Sequence, residues 1–168
     1  MIATAMVVMY VLTYLNSAAF EHVRFSEERF YMVLIMGASM AIVMLGFMLG
    51  MYRNTTINLS ILAGSVLVFL VALSLVRSQA TIQDRAYMNS MIPHHSIAIL
   101  TSERSQITDV RVCELAVGII EAQRREIDEM EWLLADIADH GPAETAAEAA
   151  ARPIPDFTGE ATRTCGDG

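Results

Sequence analysis

Hydrophobic and polar positions alternate along this chain in three regimes, and each predicts a different kind of segment. The first regime is continuous: apolar runs over about residues 2–20, 30–52 and 57–76 are interrupted only by Glu21–Glu28 and by Arg53-Asn-Thr-Thr. A helix needs roughly 20 apolar residues to cross a bilayer, so these runs predict three transmembrane helices. No basic residue precedes the first run and two further spans follow it, which argues against a signal peptide. Gly46 and Gly50 make a GxxxG step in the second span, a pattern that lets two helix backbones approach closely.

The second regime is periodic. Residues 79–105 keep helical spacing and read as a possible continuation of the third span, with Pro93 inside. Proline removes one backbone hydrogen bond and crowds the carbonyl four residues earlier, so a kink or restart is expected near Met88 and Asn89. Ile107-Thr108-Asp109 reads as a turn with Thr108 or Asp109 as N-cap. The helix expected over 110–138 carries Ala116, Ile120, Gln123, Ile127, Met130, Leu134 and Ile137 at alternating steps of four and three, a heptad seam broken by one polar residue. His140-Gly141-Pro142 stops it. The third regime, residues 141–168, is rich in Ala, Glu, Pro and Gly; a short helix at 143–151 is expected and the rest reads as disordered.

The fold class is therefore all-α: a three-span transmembrane region over 1–78, a long antiparallel helical hairpin over 79–140, and a tail over 141–168. One hairpin buries only part of two seams, so a second copy or another membrane subunit is expected to complete a four-helix bundle. The expected partners are membrane lipid and a homodimer mate or membrane complex.

Charge sharpens the division. Residues 1–80 hold four arginines and three acids, whereas the remaining 88 hold seven arginines and sixteen acids. There is no lysine and no basic stripe, which excludes nucleic acid as a partner. Three crossings would put the chain ends on opposite faces of the membrane, with Arg24, Arg29, Arg77 and Arg85 on the side of the hairpin and Arg53 opposite; by the positive-inside tendency alone the hairpin would face the cytoplasm. Cys113 and Cys165 are too far apart for a zinc knuckle or a CxxC pair. Cys113 reads as a small buried hydrophobe and Cys165 as a free thiol in a Gly-rich tail.

Candidate chemistry concentrates in Met88-Asn-Ser-Met-Ile-Pro-His-His-Ser-Ile-Ala-Ile99. On a helix, Met88, Met91 and His95 fall at i, i+3 and i+7 on one face. Thioether sulfur beside imidazole is a donor set for copper, above all Cu(I). Adjacent residues point about 100° apart, so His94 and His95 converge on one ion only if the backbone bends, for example at Pro93. Pairing the two helices turns Met91 and His95 toward Gln123, Glu126 and Met130. The plain alternatives are a hydrogen-bonded core histidine, methionine as apolar filler, and Gln123 as a register-setting residue. No histidine has a glutamate three residues before it, so the di-iron signature of four-helix bundles is absent, as are the Gly-x-Ser-x-Gly and His-Glu-x-x-His motifs of hydrolases. No enzymatic activity is expected, and His22 and His140 receive no role.

The run Met91-Ile-Pro-His-His-Ser-Ile-Ala-Ile, followed by Leu115-Ala116, Ile119-Ile120, Gln123, Glu126-Ile127 and Met130, resembles the domain-of-unknown-function family numbered 305. The resemblance covers about residues 87–137 and implies a ferritin-like, all-helical domain, in a family some of whose members are associated with copper binding and tolerance outside the cytoplasm. It implies metal-site roles for Met91, His94, His95, Gln123, Glu126 and Met130, to which the helix-face reading adds Met88. Many members carry Met-Ala after the Ala-Ile pair; here Thr101 and Ser102 stand there. The apolar runs predict a multi-pass protein of a bacterial-type inner membrane, and the resemblance implies that its domain is periplasmic and sequesters or hands over copper. The competing expectation is a structural subunit of a larger membrane complex.

Overall fold

Long apolar and heptad-patterned stretches leave the backbone little alternative to helix. The computed structural model describes residues 1–166, and among them the chain forms α1 (Ile2–Leu12), α2 (Glu27–Met48), α3 (Thr55–Ser78), α4 (Asp84–Arg104), α5 (Val110–His140) and α6 (Ala146–Ala151), one 3-10 turn at Phe20–His22, and no strand. They fall into two units. The first comprises Met1–Leu15 and Ser26–Ala86, the second Asn16–Phe25 and the chain from Tyr87 onward.

In the first unit, two helices rather than three are long and apolar enough to cross a membrane, α2 with 22 residues and α3 with 24. The first apolar run yields only the 11-residue α1, about 16 Å long, against a hydrocarbon core of about 30 Å. Hydropathy overextended this element because polar atoms just past Leu12 are committed elsewhere. The Thr13 hydroxyl donates to the Tyr10 carbonyl at 2.7 Å, and the Thr13 carbonyl accepts from the Arg29 guanidinium. The Tyr14 hydroxyl accepts from the Ser26 amide at 3.2 Å, and the Arg29 guanidinium lies 4.5 Å above the Tyr14 ring. Ser26, itself buried, N-caps α2 by accepting from the Arg29 amide at 3.2 Å, and Glu27 and Glu28 in the first turn complement the helix dipole. Close approach occurs at Gly37, where the Met6 thioether fills the space a Cβ would take, whereas Gly46 and Gly50 meet nothing. The GxxxG step is thus unused within this chain.

Asn54 caps α3, accepting from the Ile57 amide at 3.1 Å. The helix ends where Gln79 turns left-handed at φ 53°, its amide donating to the Leu75 carbonyl. This left-handed cap separates α3 from α4, so the expected continuous helix is two helices.

In the second unit α4 runs unbroken through Pro93, so neither restart nor interruption separates the motif from its helix. Met88, Ile92 and Ile99 of α4 pack with Ile120, Ile127, Met130 and Leu134 of α5 into one core. These α5 residues are seam positions read from the heptad. Asp109 is the N-cap of α5, accepting from the Arg111 amide at 2.9 Å, and Glu103 pairs with Arg124 at 2.6 Å.

Composition predicts a largely disordered tail, but it forms a short helix and its segment around residues 159–163 is fastened to α4 and α5. A capping box between Thr145 and Glu148 starts α6, Thr162 donates to Glu103 at 2.9 Å, and Arg163 donates to the Ser105 carbonyl at 2.8 Å and to the Ser102 carbonyl at 2.5 Å, one of the last-turn carbonyls of α4. A Cβ at Gly159 would run into the Glu121 carbonyl, so only glycine lets the tail come this close. Cys113 and Cys165 form a disulfide across 52 residues of sequence. Neither is the inert or free thiol expected, because spacing along the chain carries no information about pairing across a packed tail.

Candidate metal centre

Helix geometry decides which motif residues meet. On the unbroken α4 His94 is exposed and His95 is buried, with ring centroids 5.9 Å apart and planes inclined by 60°, as neighbours about 100° apart on a helix should be. His95 is carried inward with Ile92 and Ile99, one turn away on either side. Its Nδ1 lies 3.1 Å from Glu126 Oε2, yet no group meets it in hydrogen-bond geometry. The same Glu126 oxygen accepts from Gln123 Nε2 at 3.5 Å. Burial pushes the His95 imidazolium below its ordinary range, opposed by the Glu126 carboxylate and reinforced by His94, so the ring is neutral near pH 7.

Met88 and Met130 belong to the buried core and Met91 packs against it. The structure therefore gathers His95, Glu126 and Gln123 at one point, places the three thioethers in or against the core, and leaves His94 facing outward. Among the described residues no three His, Cys, Asp or Glu side chains converge as a metal cage.

Beside this group the sequence reading missed a second polar knot. Ser96, fully buried, accepts from the Ala18 amide at 2.7 Å, and its hydroxyl is 2.8 Å from His22 Nδ1. Arg24 pairs with Glu131 at 2.6 Å. These contacts fasten Asn16–Phe25 to α4 and α5, and a cavity of about 490 Å³ opens there, lined by His22, Ile99, Arg124, Asp128 and Gly159 among others. One signal was available, a serine on the apolar face of α4; its partner 74 residues away was not.

The comparisons agree with the position of this unit. The profile of the domain of unknown function DUF305 matches residues 73–156. The uncharacterized protein L153 of Acanthamoeba polyphaga mimivirus is 37% identical over 114 residues, which are 67% of this chain and 73% of that protein. No solved structure matches. A profile covering α4, α5 and α6, and a relative of which most is spanned, place this chain in the domain-of-unknown-function family 305.

Proposed function

We propose that this protein is a membrane-anchored soft-metal protein that holds Cu(I) at His95 for sequestration or handover, without a catalytic step. The observation that carries the reading is the buried His95 ring, whose Nδ1 has no hydrogen-bond partner although Glu126 lies 3.1 Å away. A buried polar atom left unsatisfied costs about 1–3 kcal/mol, a cost that a bound ion removes. Burial keeps the imidazole neutral, the state in which it ligates. Met88, Met91 and Met130 supply thioethers in the same packed region, and Cu(I) selects such ligands. Glu126 and Gln123 would orient the ring, and His94 at the surface would meet the ion on entry.

The anchor would be α2 and α3. Two crossings return the chain to its starting side, which agrees with Asn16–Phe25 and the chain from Tyr87 onward belonging to one unit. The Cys113–Cys165 disulfide supports an oxidising, outward-facing compartment, against the arginine count. Association of two such units into a ferritin-like bundle extends the same reading. A structural subunit is the second reading, favoured by the 3.1 Å approach of the Glu126 carboxylate to the His95 ring, an ion-pair distance for a protonated imidazole.

Titration of Cu(I) against a competing chelator on the detergent-purified full chain tests the proposal. Wild type should compete for the ion, and His94→Ala/His95→Ala should lose the tightest-binding fraction. Identical curves would favour the structural subunit.

A further inference from the structure

Methionine is unevenly placed between the two long apolar helices. α3 has 24 residues and no methionine, whereas α2 carries Met32, Met36, Met40, Met44 and Met48, each four residues after the last. All five keep one i+4 register along α2. Residues four apart are neighbours on a helix, about 5–6 Å between Cβ atoms, and rows at this spacing form a continuous ridge. Sixteen residues of rise make the ridge about 24 Å long, most of the roughly 30 Å hydrocarbon thickness.

The ridge is not sealed inside the helix pair; its outer part faces the surroundings, lipid in the proposed anchor. Met32 and Met36 are exposed on the helix, Met40 is half-buried, and Met44 and Met48 line an apolar cavity of about 340 Å³ together with Met1. No charged residue lies on α2 after Arg29, so a hard cation would meet no carboxylate there, whereas soft thioethers select Cu(I). Flexible, polarizable methionine side chains one turn apart reach an ion lying between them.

We propose that the Met32–Met36–Met40–Met44–Met48 ridge of α2 is a second Cu(I)-binding element, a line of overlapping thioether pairs along a membrane helix that ends in the Met1, Met44 and Met48 cavity. It extends the soft-metal reading to the other unit, and its ligands are independent of His95.

The test uses the full chain in lipid nanodiscs, titrated with Cu(I) against a chelator, with copper X-ray absorption on the loaded samples. Four proteins are compared: wild type, His94→Ala/His95→Ala, Met36→Leu/Met40→Leu/Met44→Leu/Met48→Leu, and the combination. Leucine preserves volume and apolarity, so the membrane helix is retained. The expected result is that the histidine variant still binds Cu(I) with sulfur-only scattering, that the leucine variant loses this fraction and keeps the histidine-dependent one, and that the combination loses both. The ridge is overturned if the leucine variant binds as many Cu(I) equivalents as wild type, or if copper in the histidine variant shows no sulfur scattering. Loss in the histidine variant alone overturns the ridge and leaves His95 standing; loss in the leucine variant alone does the reverse.

Discussion

With α2 and α3 as the proposed anchor, the two units solve the same packing problem in opposite solvents. In the second, apolar side chains turn inward: Ile92 and Ile120 are fully buried and ion pairs such as Glu103–Arg124 decorate the surface. In the first, α2 and α3 are apolar all round and leave Phe47 90% and Leu67 63% exposed. A soluble protein rarely tolerates such contiguous apolar surface, whereas lipid is as apolar as leucine and leaves helix contacts to small residues, as where Met6 packs on Gly37. Exposure therefore means different things in the two units.

The largest effect should come from the core of the second unit. Ile120→Ala removes a fully buried side chain and should destabilise that unit by about 2–5 kcal/mol, read by denaturant melts of Trp132 fluorescence. A smaller and more discriminating pair is Leu67→Lys and Leu115→Lys, because the two leucines are equally exposed at 63% and 64%. The charge in the middle of α3 should cost about 2.5–3.5 kcal/mol of insertion, while the one on α5 should stay within about 0.5 kcal/mol. Membrane fractionation and melts measure both, and equal behaviour would break the two-solvent account. Cys113→Ser/Cys165→Ser opens a loop of 52 residues and should lower stability by about 2–4 kcal/mol, accompanied by protease cleavage within Thr158–Arg163.

The smallest effect concerns His95. Its pKa is lowered in the folded chain by burial, so the unfolded chain binds more protons between that value and the ordinary value near 6.5. Stability should therefore rise with pH through that window and fall as pH drops below about 6.5. Glu126→Gln removes the one cause that raises the pKa and should move the window lower; nuclear magnetic resonance titration of the ring checks the shift.

Much of this fold is legible in the sequence because it is local. The heptad over Ala116–Ile137, the Asp109 cap and the lengths of α2 and α3 depend on residues within a few turns of one another. Most of the misreadings are long-range. α1 stops at Leu12 beside groups that bond Ser26 and Arg29; the tail is held by Glu103, Glu121 and Cys113; and Ser96 meets His22 across 74 residues. At the candidate site, periodicity sets His94 and His95 about 100° apart unless Pro93 bends the helix, and in the structure one is exposed and the other buried. The contact of His95 with Glu126 follows from pairing α4 with α5, whereas the left-handed turn at Gln79 has no sequence signal, since glutamine seldom adopts it.

The measurement that bears most directly on the central claim is copper X-ray absorption of Cu(I)-loaded protein in which Met36, Met40, Met44 and Met48 are leucine, compared with the same protein carrying His95→Ala. Binding at His95 predicts one imidazole together with sulfur scatterers in the first, and loss of the imidazole signature with weakened binding in the second. Identical spectra, or copper bound without nitrogen in both, would contradict it.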